Sequence, residues 1–168
     1  SIGLGVALAQ DKKVISIDGD GSVLTNFGTL PTIANNVADN FILLIIDNGS
    51  YGSTGDQPTY AGMKTSLTAV AKACGCENVV ECKAEDTAQV LKDALAGDKM
   101  TIIVCKCESG NIKVPVITMD PVVIRDIVDD RERTNDLCVC GNRNGMHEQV
   151  ARRRAKHVDF AFCATALH

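Results

Sequence analysis

The chain has 168 residues, 45% of them hydrophobic, enough for one domain with a real core. Its formal charge of −4 argues against a nucleic-acid partner, and no apolar run is long enough to span a bilayer. Eight cysteines without a basic, signal-like leader point to a reducing cytoplasm rather than a disulfide framework.

Ile2 to Ala9 is small and apolar and reads as the C-terminal part of a packed helix, entered without a methionine as in a fragment. Gln10-Asp11-Lys12 is a turn, and Val14-Ile15-Ser16-Ile17 a strand. After Gly19-Asp20-Gly21 and Ser22, Thr25 to Asn36 reads as a helix. Pro31 lies near its first turn, where a missing N–H is tolerated. Phe41 to Ile46 is a second strand. Both strands are nearly continuous aliphatic runs, as in a parallel sheet covered by helices. A polar turn follows, Asp47-Asn48-Gly49-Ser50-Tyr51-Gly52, inside a Gly-rich loop that runs to Gly62 and is long enough to suggest function.

Ser66 to Ala73 reads as a helix, Val79-Val80 as a short strand and Asp86 to Leu95 as a helix with one apolar face. Met100 to Val104 is the last clear strand. Pro115 and Pro121 bracket an extended segment, and Val122 to Val128 is a closing helix. The alternation predicts an α/β fold, a doubly wound parallel sheet with helices on both faces.

Charge divides the chain near Asp130. Residues 1–130 carry 10 Lys/Arg against 17 Asp/Glu, whereas residues 131–168 carry 7 against 4 and hold all three histidines. The predicted domain is therefore 1–130. Residues 131–168 form a basic tail expected to lack a stable packed structure, in which His157 to Leu167 alone is apolar enough to dock.

In a right-handed strand–helix–strand unit, residues just past the carboxyl ends of neighbouring strands lie side by side. That brings Asp20 and Asn48 together. Two oxygen-bearing side chains there suit Mg²⁺, which takes one or two protein carboxylates and fills its shell with phosphate oxygens. Gly19 and Gly21 remove Cβ atoms that would bar a diphosphate from the backbone. Ser22 can donate to a phosphate oxygen, beside the free N–H groups of a helix start.

GDG followed after a spacer by Asp47-Asn48 resembles the diphosphate-binding motif of thiamine diphosphate enzymes. The run Asp47 to Gly55, then Gln57-Pro58-Thr59, and later Lys113-Val114-Pro115-Val116 with Asp120-Pro121, is similar to the sulfopyruvate and phosphonopyruvate decarboxylase group. The likeness covers about residues 1–130. It implies a thiamine diphosphate-binding fold lacking its first elements, and an enzyme subunit that decarboxylates a small acidic 2-oxoacid. Sulfopyruvate, in coenzyme M biosynthesis, is the first expectation and phosphonopyruvate the alternative.

By the same resemblance, Asp20 and Asn48 are side-chain Mg²⁺ ligands and Ser50 a backbone-carbonyl ligand. Gly19, Gly21, Ser22, Tyr51 and Gly52 complete the cofactor-binding set. The carboxylate that activates the aminopyrimidine belongs to a pyrimidine-binding domain, which in this group is a separate alpha subunit. This chain holds no candidate for it, so a hetero-oligomer is implied. Two other readings stand beside this one: a non-catalytic phosphate- or nucleotide-binding α/β module, and a truncated, inactive product with an out-of-register tail.

The cysteines fall into Cys-x-Cys pairs. Cys74/Cys76 and Cys105/Cys107 are read as core residues. Cys138 and Cys140, with His147, His157 and Cys163, leave a zinc site open, although the spacings match no standard ligand pattern.

Overall fold

Aliphatic side chains on both sides of a strand require cover on both sides, and the packing follows from that. The computed structural model describes residues 2–110, a few positions between 119 and 126, and the backbone of 139–141 and 160–165. In the central strands β1 (Lys13–Gly19) and β2 (Phe41–Asp47), successive side chains go to opposite faces. Val14, Phe41, Leu43 and Ile45 join one cluster, and Ile15, Ile42 and Leu44 the other.

Helix α1 (Ile2–Leu8) precedes β1; α2 (Asp20–Thr25) and α3 (Thr29–Asn35) connect β1 to β2. After β2 comes a small hairpin, β3 (Ser50–Tyr51) and β4 (Gln57–Pro58), then a 3-10 turn over Tyr60–Gly62 and α4 (Leu67–Ala73). Strand β5 (Val79–Lys83), helix α5 (Thr87–Ala96) and strand β6 (Thr101–Lys106) follow. The first cluster draws on Leu4, Val23, Leu30, Ile33 and Leu67 from α1 to α4, and the second on Ala94, Val90 and Leu91 from α5. Helices therefore cover both faces, as predicted.

The main sheet is parallel throughout, in the order β5-β6-β2-β1-β8-β7. Its last two members, β7 (Val139–Gly141) and β8 (Phe160–Thr165), come from the basic tail, and β8 runs along β1 from Lys13↔Phe160 to Asp18↔Thr165. No strand was expected there, although β8 lies within the one tail segment judged apolar enough to dock. Most of the tail, and most of the expected segment from Pro115 to Val128, lies outside the described residues; Val122, Val123 and Asp126 are helical.

The helix expected from Thr25 to Asn36 is two helices. The first starts at Asp20 and ends at Thr25; the cap residue Asn26, neither helical nor extended (φ −121°, ψ 62°), breaks the ladder before Gly28 leads into α3. Asn40 ties the sheet's amino edge together. Its side-chain amide donates to the carbonyls of Ala7, Gln10 and Lys12 at 2.9, 2.7 and 2.9 Å.

Of the cysteines, Cys76 and Cys105 are buried in the two clusters, and Cys74 packs against the first, in keeping with the core reading. In the tail, Cys140 and Cys163 are register partners of β7 and β8. Cys138, His147 and His157 lie outside the described residues.

Candidate functional site

Strands β1 and β2 pair with Gly19 opposite Ile46, so both chains leave the sheet at the same edge. Asp20 follows directly on β1 and Asn48 directly on β2. Gly19 is extended (φ −86°, ψ 157°) and caps α2, so the chain turns from strand to helix at Asp20. The Asp20 side chain is 1% exposed.

The two glycines of the GDG tripeptide differ. A Cβ on Gly19 would meet nothing within 4 Å, which leaves open space beside the backbone. A Cβ on Gly21 would lie 2.5 and 2.6 Å from Cε1 and Cδ1 of Tyr51. At Gly21 the chain's own aromatic ring fills the space a Cβ would take, and a larger residue there would have to displace it. Ser22 is buried beside it. Because α2 has six residues, the helix-dipole help expected at its start is small.

The second half of the site is a folded loop. Ser50 N–H donates to Asn48 Oδ1 at 3.1 Å, closing an Asx-type turn, with Gly49 in the left-handed region at φ 68°. Ser50 Oγ donates to Asp56 Oδ1 at 2.5 Å within the β3–β4 hairpin, and Tyr51 and Gly52 are half-buried.

Thr59, 0% exposed, connects the halves. Its Oγ1 donates to Asp20 Oδ2 at 2.5 Å and accepts from Gly62 N–H at 3.3 Å, while its own N–H donates to Gly49 O at 2.9 Å. The fit at Gly62 is close: a Cβ there would lie 2.8 Å from Gly49 O and 3.0 Å from Gly49 Cα.

Burial pushes the Asp20 carboxyl above the ordinary value of 3.8; the Thr59 hydrogen bond pulls the other way, and the nearby Asp47 charge adds to the rise. Asp47 is itself buried and forms an ion pair with Lys106. Burial raises the Cys107 thiol as well, with Cys105, Asp47 and Asp20 as lesser contributors. A thiol so placed is largely protonated at neutral pH and a poor nucleophile.

The structure therefore places Asp20, Asn48 and Ser50 along one edge, with Gly19, Gly21, Ser22, Tyr51 and Gly52 around them. Among the described residues no group of three or more His, Cys, Asp or Glu side chains could hold a metal ion unaided. What the edge offers is a buried carboxylate, an amide oxygen and backbone carbonyls: hard oxygen donors that suit a cation whose shell is completed by a ligand's own oxygens. Sequence reasoning named Thr59 as part of a motif but gave it no role. It lies 39 residues from Asp20, and no local pattern announces the contact.

Residues 1–105 match the family described as thiamine pyrophosphate enzyme, C-terminal TPP binding domain. The chain belongs to that family. As a TPP-binding domain it is similar to the sulfopyruvate decarboxylase subunit beta of Methanocaldococcus jannaschii, 45% identical over 125 residues, which are 74% of this chain and 66% of that protein. The subunit of the same name from Methanothermobacter thermautotrophicus is 41% identical over 138 residues, 81% of this chain and 72% of that one. Phosphonopyruvate decarboxylase of Streptomyces viridochromogenes is 39% identical over 113 residues, 67% of this chain but 28% of the relative.

The chain thus spans 66% of the length of the first of these relatives. The TPP-binding fold is shared with the solved 2-oxoglutarate:ferredoxin oxidoreductase of Magnetococcus marinus, with a TM-score of 0.57 over 95% of this chain and 59% of that one. At 17% identity, that likeness is one of fold. No helix among the described residues is long and apolar enough to cross a membrane.

Proposed function

We propose that this chain is the thiamine diphosphate-binding subunit of a 2-oxoacid decarboxylase that converts sulfopyruvate to sulfoacetaldehyde and CO2. The observation that carries the reading is the buried Asp20 carboxylate just past β1, with Asn48 just past the neighbouring β2, in a TPP-binding domain 45% identical to a sulfopyruvate decarboxylase subunit beta. The residues fit the group. A desolvated carboxylate held by a neutral hydroxyl lacks compensating charge, which a divalent cation supplies.

In this reading Asp20, Asn48 and the Ser50 carbonyl hold Mg²⁺. Gly19 leaves room for the diphosphate; Gly21 and Ser22 line it, and Tyr51 and Gly52 wall it. When bound, the cofactor supplies the carbanion sink for loss of CO2. The chain's part is to anchor the diphosphate end rigidly and keep that end dry. The other end is gripped by a pyrimidine-binding alpha subunit that carries the activating carboxylate, in a cytoplasmic hetero-oligomer. The cofactor domain is 1–130.

Calorimetry with thiamine diphosphate and Mg²⁺ against ATP and Mg²⁺ separates this reading from a nucleotide-binding module. Saturable binding of the thiamine ligand supports it, and preference for ATP overturns it. Turnover assays then compare sulfopyruvate with phosphonopyruvate, each with and without the partner. CO2 release from sulfopyruvate in the assembly alone is the expected result. Turnover by the isolated chain would refute the division of labour.

A further inference from the structure

We infer that Thr59 is a positioning residue for the cation site: it fixes the Asp20 carboxylate and the Asn48–Ser50 turn in one arrangement before any ligand arrives. The inference rests on the reading that Asp20, Asn48 and Ser50 hold a divalent cation.

The geometry is that of a clasp. Thr59 reaches Asp20 through its hydroxyl and Gly49 through its backbone N–H, at 2.5 and 2.9 Å. Gly49 stands between the two loop ligands, Asn48 and Ser50. One buried residue therefore touches both halves of a site that otherwise meet across the gap between two strands.

The polarity of the clasp is fixed. The hydroxyl has a single proton, and Oγ1 already accepts from Gly62 N–H at 3.3 Å, so that proton is directed at Asp20 Oδ2. A hydroxyl donating to a carboxylate forms a charge-assisted hydrogen bond, which restricts the carboxylate's rotation about its terminal torsion. Metal sites depend on such outer partners, and their loss commonly costs 10–100-fold in metal affinity. Thr59 has no exposure, so it does not reach the ligand itself; it acts through Asp20 and the turn.

The test uses the full-length protein, purified in the assembly in which it occurs, with Mn²⁺ as a paramagnetic probe. Free Mn²⁺ is counted by electron spin resonance at fixed thiamine diphosphate. Thr59→Val keeps the shape and removes the hydroxyl; Thr59→Ser restores it. The expected result is a loss of Mn²⁺ affinity of about 10-fold or more in T59V, and affinity within about threefold of wild type in T59S. Thermal melts of the ligand-free proteins accompany the titrations. A role confined to packing would leave the methyl-for-hydroxyl exchange T59V near wild type and penalise the smaller T59S.

Wild-type binding that T59V leaves unchanged overturns the inference alone, as does a T59S variant as weak as T59V. Should T59V fail to fold, T59S decides: affinity near wild type supports the inference, and a tenfold loss overturns it. Wild-type protein that takes up no Mn²⁺ with thiamine diphosphate overturns both the functional reading and the inference drawn from it.

Discussion

Asp20 combines two properties that pull against each other, near-complete burial and an ionisable carboxyl group. Its folded-state pKa lies above the ordinary 3.8, chiefly through desolvation. Between those two values the folded chain binds more protons than the unfolded chain, so stability falls as pH rises through the folded pKa. The penalty is fully present above it and absent well below 3.8. Asp20→Asn should therefore raise the melting temperature of the metal-free protein at pH 7, with the gain vanishing in strong acid. A variant less stable than wild type at both ends would show that the carboxylate is not strained. In the same variant, Mg²⁺-dependent binding of thiamine diphosphate should be lost.

A second residue-scale prediction concerns Gly62. Its Cα faces Gly49 so closely that any Cβ strikes backbone rather than a yielding side chain. Gly62→Ala should displace the Asn48–Ser50 turn and weaken cofactor affinity at least tenfold, while the core-dominated melting temperature moves by no more than a few degrees. Calorimetry beside a thermal melt reads both. Unchanged affinity would mean that the turn is not part of the site.

At the level of elements, Asn40 is the joint. Three backbone carbonyls, that of Ala7 in α1 and those of Gln10 and Lys12 in the connection to β1, converge on one amide. Asn40→Ala leaves them short of a donor in a half-buried setting and should cost about 1–3 kcal/mol, read from urea denaturation. The elements themselves were largely legible. Val14 to Ile17, Phe41 to Ile46 and Met100 to Val104 are aliphatic runs that only a doubly covered strand accommodates, and the apolar face of α5 is visible in its spacing.

The break at Asn26 was signalled in the sequence and read over: Asn26 and Gly28 are turn formers, and Pro31 falls in a first helical turn only if the helix starts near Thr29, as α3 does. Strand β8 is a short apolar run, Phe160-Ala161-Phe162-Cys163, but no sequence signal says that it will lie against β1. In the site, Asp20 and Asn48 could be found because strand ends are local features. Thr59 could not, since its contact depends on how a loop folds back through space.

Across the whole molecule, the sheet is divided unequally between its two faces. Phe41, 1% exposed, sits in the larger cluster beneath α1 to α4, and Phe41→Ala should destabilise the fold by about 3–5 kcal/mol in chemical denaturation. Strand β1 owes its outer hydrogen-bonding partner to β8. Removing residues 131–168 takes β8 away and, among the described residues, leaves that side of β1 without a partner strand, a template for pairing with another chain. The truncated protein should show concentration-dependent association by light scattering. If it stays as monodisperse as the full chain, the edge is covered in another way.

The clasp between Gly49, Thr59 and Gly62 also bears on how such a site can diversify. The loop is cinched at its neck, and the first hairpin strand, with Ser50 and Tyr51, belongs to the site; the exposed turn 53–55 at the tip lies outside that frame. Lengthening an already closed loop by two residues costs only a few tenths of a kcal/mol in chain entropy. Two glycines inserted between Thr54 and Gly55 should therefore leave cation binding intact, whereas the same insertion between Asn48 and Gly49 abolishes it. A fixed neck and a free tip would let the loop change length through insertions and deletions while the grip on the cofactor stays constant.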